Sequence, residues 1–146
     1  MPYVLGLGEL LWDLLPAGPQ LGGAPANFAI HARALGADAA LVTRIGRDAR
    51  GREALARLAA AGVSTDLVQE DPDTPTGTVG VSLAAGGQPA FTIHGDVAWD
   101  RIAATASALA AAARADADAL LAARRRPGSL LSISRLGVDR QSPAPG

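Results

Sequence analysis

Hydrophobic positions along the chain follow two periods, and each change of period marks a new element. Tyr3 to Leu7 is a short apolar run closed by glycine, which predicts a buried strand, and Leu10 to Leu15 continues as a second extended piece stopping at Pro16. Pro25 suits a helix start, where its missing N–H removes no bond. Phe28, Ala32 and Leu35 follow at helical spacing, and Gly36 is placed to end that helix. Ala39 to Ile45 is predicted as the next strand. Asp48 can then cap a helix carrying Leu55, Leu58 and Ala59 on one face and closed by Gly62.

From Thr78 to Leu83 the period drops to two, with Val79, Val81 and Leu83 on one side and Thr78, Gly80 and Ser82 on the other. Gly86-Gly87 supplies a turn, and Phe91 and Ile93 resume the alternation in a returning strand. Strict alternation predicts a hairpin with one face open to water, set beside strands that read as buried on both faces. Ile102, Ala106, Leu109 and Ala113 mark one face of an alanine-rich helix. Strands and helices alternating in this way predict an α/β fold. After Asp118 the pattern fails. Residues 119–146 combine an Arg block with a Pro/Ser/Gly ending and are predicted to form an atypical, disordered tail, with Leu130 to Ile133 the one candidate strand.

Composition sharpens this picture. Hydrophobic residues make up 49% of the 146 but aromatics only 3%, so the core must be built from Ala, Leu, Val and Ile. The absence of cysteine excludes a disulfide framework and a thiolate zinc site. Met-Pro-Tyr opens the chain without a basic stretch, and no long apolar run follows. Neither signal peptide nor membrane span is expected, and the cytoplasm is the default location. Residues 1–118 hold eight Arg against thirteen acids, and residues 119–146 five Arg against one acid. The block Arg124 to Arg126 lacks aromatics or a motif around it and reads as a solvated surface, so no nucleic-acid partner is expected.

The strongest chemical signal is LGGAPANFA, residues 21–29. Two glycines ahead of a helix let the backbone approach a ligand, because no Cβ stands in the way. Asn27, one turn into that helix, offers a donor and an acceptor to a hydroxyl. Taken alone, such a Gly-Gly turn reads equally as a tight strand-to-helix connection with Asn27 exposed. Likewise Asp13 alone reads as an exposed acid at a strand end. His31 is expected to be solvated, His94 ends a strand without an identifiable partner, and Phe91 fits either a ligand contact or the hairpin core. Asp71 and Asp73, flanking Pro72, read as solvent-facing rather than metal-binding.

The combined spacing of Gly22-Gly23, Pro25, Asn27, Ala29, Gly36 and Gly46 resembles the first signature of the PfkB-type, ribokinase-like carbohydrate kinases. GELLWDLLP is similar to the opening of that family, VTRIGRDARGREALARLAAAGVSTDLV to the strand-helix segment after it, and DPDTPTGTVGV to the entry of its lid. The wording is nearest to bacterial fructokinases, and the likeness covers roughly residues 3–118. It implies a ribokinase-like α/β/α sandwich fragment with a small β-lid, drawn from about residues 10–16 and 65–94. It also implies that Asp13 holds sugar hydroxyls, that Gly22 and Gly23 let the sugar lie against the main chain, and that Asn27 completes the grip. In such kinases the lid closes over the sugar and often forms a homodimer.

The same resemblance implies ATP with magnesium, and fructose as substrate ahead of ribose, 2-keto-3-deoxygluconate and nucleosides. The family's later motif D-T-x-G-A-G-D, whose last Asp is the base, does not occur in the 146 residues, and without lysine there is no P-loop. No catalytic residue, metal ligand or nucleotide site is therefore assigned. The expectation is a sugar-binding part of a kinase without phosphoryl transfer of its own. A non-catalytic sugar-binding or lid-mediated interaction module and a non-functional pseudogene product are the alternatives. The tail composition matches a shifted reading frame in a GC-rich gene or a short natural terminus.

Overall fold

Tyr3–Leu7 becomes the strand β1, interior to a parallel sheet whose two faces are both covered, which is why its apolar run is continuous. The computed structural model describes residues 2–115 and 120–122. After β1 come β2 (Leu11–Leu15), β3 (Gly18–Gly22), α1 (Ala24–Ala34), β4 (Asp38–Gly46), α2 (Ala49–Ala60) and β5 (Val68–Asp71). Then follow β6 (Gly77–Leu83), β7 (Pro89–Ile93), a 3-10 turn (Ala98–Arg101), α3 (Ala106–Arg114) and β8 (Leu120–Ala122). The main sheet has the order β5-β4-β1-β8 with every pair parallel. A second sheet, β3-β2-β6-β7, is the expected lid.

Two apolar clusters sandwich the main sheet. Ala26, Ala29, Ala54 and Leu58 of α1 and α2 pack with Leu41 and Ile45 on one side. Ala108, Ala111 and Ala112 of α3 pack with Leu5, Leu7 and Val42 on the other. Full burial of a leucine such as Leu41 or Leu58 is worth about 1.5–3 kcal/mol. The alanines remove less area and act instead by letting the helices approach closely. Where α1 crosses β1, a Cβ on Gly6 would stand 2.6 Å from the Pro25 carbonyl oxygen.

Helix faces differ from those expected. In α1, Pro25, Ala26 and Ala29 are buried while Leu35, beyond its last turn, is 89% exposed. Close approach at Gly6 selects the small-residue face, and Phe28 and Ala32 sit only at its margin. In α2, Leu58 is buried and Leu55 packs against the same cluster as expected, but Gly51 and Ala54 share the buried face and Ala59 is exposed. In α3, Ala108, Ala111 and Ala112 are buried whereas Ala106 and Ala113 face water. Leu109, and Ile102 ahead of the helix, do pack against the cluster with Leu5, Leu7 and Val42 as expected, but the alanines carry no contrast among themselves from which to read the rest of the face. The caps behave as expected: Asp48 accepts the Gly51 N–H at 2.8 Å, and Gly36 and Gly62 end their helices at positive φ.

Two strands lack a sequence signal. β3 contains Pro19 and lies at the edge of the lid sheet, where a missing N–H removes no ladder bond. β5 is four residues long and edges the main sheet, although it falls inside the span expected for the lid. The segment expected to be tail begins with β8, whose residues pair with Leu5 to Leu7. Leu130 to Ile133 and the rest of that segment lie outside the described residues. Among the described residues no helix is long and apolar enough to cross a membrane.

Thr43 is fully buried, lies between Leu41 and Ile45 on the same face of β4, and its hydroxyl has no hydrogen-bond partner among the described residues. An unsatisfied buried hydroxyl costs on the order of 1–3 kcal/mol, and valine has nearly the same shape. Thr43→Val is therefore expected to raise the free energy of unfolding by about 1 kcal/mol. Urea denaturation followed by circular dichroism reads this directly, and a lowered midpoint would contradict it.

Candidate functional site

The residues singled out for chemistry gather beyond the C-terminal ends of β1 and β4, the usual location for ligands in α/β sheets. Two residues, Pro16 and Ala17, join β2 to β3, so Asp13 on β2 stands opposite Gln20 and Leu11 opposite Gly22. Strand β3 delivers Gly22 and Gly23 directly to the start of α1. A side chain on Gly22 would run into the Asp13 carboxylate, and one on Gly23 into the Glu9 carbonyl. Gly23 also has φ +106°, so the position needs glycine on both counts. Asp13 is thus brought against Gly22, with Gly23 next to it packed on Glu9. Asn27 is exposed in the first turn of α1, its N–H bonded to the Gly23 carbonyl at 2.9 Å.

Trp12 fixes β2 beneath this cluster. Its ring is buried, its Nε1–H donates to the Arg50 carbonyl at 3.1 Å, and the Arg57 guanidinium lies 5.2 Å from the ring centre. Asp13 points to the opposite face of the strand. Partial burial without a compensating hydrogen bond pushes its carboxyl above the ordinary value of 3.8. On the same face, by register, lie Val79 and Ile93, then Val81 and Phe91. Burial falls away along this stripe: Val79 is buried, while Leu83 is 70% and Phe91 64% exposed. Phe91 is therefore not a hairpin core residue.

The remaining candidates separate. His31 is exposed, with Nδ1 2.7 Å from the Asn27 carbonyl oxygen. His94 has a partner after all: Nδ1 lies 2.6 Å from the Thr78 hydroxyl. Asp73 is exposed, but Asp71 is buried and does not face solvent. It accepts N–H bonds from Asp73 at 2.9 Å and Thr74 at 3.0 Å, and a 2.9 Å bond from Arg44 Nε. The Asp73 N–H leads the set of donors that, against the opposing effect of burial, lower its carboxyl to about 2. A carboxyl depressed by folding adds stability above pH 3.8, and that stability is lost as the pH falls toward about 2.

One participant had little sequence signal. Glu9 accepts from the Ala24 N–H at 3.4 Å and supplies the carbonyl abutting Gly23, so it closes the start of α1. An acid directly after Gly8 was the available hint. This closure also bears on phosphate: α1 and α2 both begin at a carboxylate, Glu9 and Asp48, which opposes an anion there. Among the described residues no group of three or more His, Asp or Glu is assembled to hold a metal ion. The two carboxylates thus make neither helix start a ready phosphate cradle.

Comparison with known proteins places these features in context. The family described as "pfkB family carbohydrate kinase" matches residues 19–125. The fructokinase of Klebsiella pneumoniae is 37% identical over 91 residues, covering 59% of this chain and 30% of its own. The Xylella fastidiosa fructokinase solved with bound ATP superposes with a TM-score of 0.65 at 27% identity, over 75% of this chain and 36% of that one. The Vibrio cholerae O395 fructokinase solved with fructose, ADP and calcium ion gives a TM-score of 0.56 at 29% identity, over 66% of this chain and 34% of that one. The chain spans about a third of the length of these relatives.

Because folding raises the Asp13 carboxyl, its ionised form is less favourable in the folded chain than in the unfolded one. That cost is complete above the folded value and vanishes below the ordinary 3.8. Asp13→Asn should accordingly raise the urea midpoint at pH 7, with the difference closing as the pH drops through the carboxylate range. A variant less stable than the parent at neutral pH would show that the charge is compensated.

Proposed function

Since the chain belongs to the PfkB family of carbohydrate kinases, we propose that residues 2–115 form the sugar-binding part of a fructokinase-like enzyme. One observation carries this reading. Asp13, whose carboxylate takes no hydrogen bond among the described residues and is partly withdrawn from water, stands over a stretch of main chain that only glycine permits. A ligand with adjacent hydroxyls suits such a site. A carboxylate accepts from two hydroxyls at once, an amide such as Asn27 can donate to or accept from a third, and bare backbone at Gly22-Gly23 admits the ring. Analogues lacking those hydroxyls would leave a partly buried carboxylate unpaired. The lid sheet shares its Asp13 face with Val79, Val81 and Phe91, which would cover the ligand and exclude water.

Fructose is the leading substrate because relatives over this region are fructokinases, one of them solved with fructose. Phosphoryl transfer is assigned to other residues. It needs a base and donors for the developing charge, which the family draws from a motif not found in these 146 residues. The nucleotide would be met there as well. A second reading, a non-catalytic module pairing through its lid, is favoured by the exposure of Leu83, Phe91 and Ile93. A protein that dimerises at micromolar concentration in sedimentation and ignores sugar would support that reading instead.

Calorimetric titration of the chain with fructose should show binding that Asp13→Ala weakens more than tenfold, from loss of a charge-assisted hydrogen bond worth about 1.5–3 kcal/mol. Asp38→Ala is the control, since Asp38 begins β4 at the other end of the sheet, opposite Tyr3. Equal losses from the two substitutions would remove Asp13 from the site. With fructose and ATP together, the purified chain should release no ADP above a no-protein control. Sugar-dependent release that survives repurification would place a base and an anion site within the chain.

A further inference from the structure

We propose that Thr76, gripped by Asp48, is a positioning residue: their buried junction sets β6 against β2 and thereby determines where Asp13 stands, without either residue touching the ligand. This rests on the sugar-binding reading of Asp13. Thr76 is 2% exposed and immediately precedes β6. Its hydroxyl donates to Asp48 Oδ1 at 2.7 Å and accepts the Gly46 N–H at 3.0 Å. Its own N–H donates to Asp48 Oδ2 at 2.8 Å, while Oδ1 also takes the Gly51 N–H at 2.8 Å. These bonds tie together the end of β4, the start of α2 and the entry to the lid. Burial alone would raise the Asp48 carboxyl, but the donors on Thr76 and Gly51 outweigh it and hold the group below its ordinary value, so it is charged where the junction needs it.

The consequence for Asp13 follows from register. One residue beyond Thr76, Gly77 pairs with Leu11, and two further on Val79 pairs with Asp13. The returning side of the lid is anchored at the same root. The Ala98 N–H donates to the Pro75 carbonyl at 2.8 Å, and the buried Trp99 ring lies 2.7 Å from where a Cβ on Gly77 would be. Strand β2 therefore takes its place from β3 on one side and from this root, through β6, on the other. Hydrogen bonds between a carboxylate and a hydroxyl tolerate only a few tenths of an ångström of displacement. A small shift of β6 at its root is enough to degrade the grip on a sugar while the main sheet stays intact.

The test uses Thr76→Val, which keeps the branched shape and removes the hydroxyl, beside Thr76→Ser, which restores it. Amide hydrogen exchange across the β2–β6 ladder is compared with exchange across β1–β4, and each chain is titrated with fructose. In Thr76→Val the β2–β6 amides should exchange about fivefold to tenfold faster and fructose affinity should fall by a similar factor, with β1–β4 unchanged. Thr76→Ser should bring both back. Unaltered β2–β6 exchange, a uniform change over both sheets, or failure of serine to rescue would overturn the proposal. Asp48→Asn, which keeps an acceptor for Gly51 but loses the bond from the Thr76 N–H, is read in the same way and decides the matter if the valine chain does not fold. Fructose that fails to bind the parent chain overturns the sugar reading and leaves exchange to decide this one.

Discussion

The arrangement depends on the passage of the main chain through Gly22 and Gly23, where the backbone slips between the Asp13 carboxylate and the Glu9 carbonyl with no room for a Cβ. The hairpin β2–β3 can feed α1 only along this path, and α1 must start there for Ala26 and Ala29 to reach the sheet. In the proposed sugar-binding role, the same constraint would also make the ligand site. A backbone stripped of side chains, beside a carboxylate withdrawn from water, is a surface that hydroxyls can meet from two directions. Fold and site therefore share one cause.

Two carboxylates, Asp13 on β2 and Asp48 at the start of α2, show how environment assigns roles to one residue type. Asp13 is partly buried with nothing to offset its desolvation, and its carboxyl moves up. Asp48 suffers the same desolvation but collects donors from Thr76 and Gly51, and it moves down. A structural carboxylate keeps its charge by spending its lone pairs on the protein. A ligand-binding carboxylate keeps lone pairs free and is destabilised for it. On the proposed reading the pair would separate the grip from the frame holding it, with β6, paired to β2, as the connection between them.

Much of this was readable from the chain because it rests on local rules. Strand β1, the hairpin β6–β7, the Asp48 cap and the glycine helix ends follow from periodicity and backbone conformation, which involve a few neighbouring residues at a time. Gly22, Gly23 and Asn27 lie within the region that matches the family, and their spacing drew attention to them, with Asp13, as candidate sugar contacts. The strands β3 and β5 were not legible. Both are sheet edges, and an edge strand needs only its neighbour's hydrogen bonds, so neither Pro19 nor the polar run Gln69-Glu70-Asp71 excluded them.

The sequence by itself determined the family, the α/β class and most of the elements, and it nominated residues for a hydroxyl, since each depends on residue type at a given spacing. Tertiary structure decided which side of each helix faces inward and which polar residues become buried. Alanine carries no contrast along α3, so only packing on Leu5, Leu7 and Val42 could select Ala108, Ala111 and Ala112. Asp71 looked like a turn acid until Arg44, twenty-seven positions away, closed over it. Thr76 has no signal between Pro75 and Gly77, because its importance lies in reaching Asp48 twenty-eight positions back. Long-range partners of this kind are chosen by the folded chain, and burying a polar residue costs least where such a partner exists.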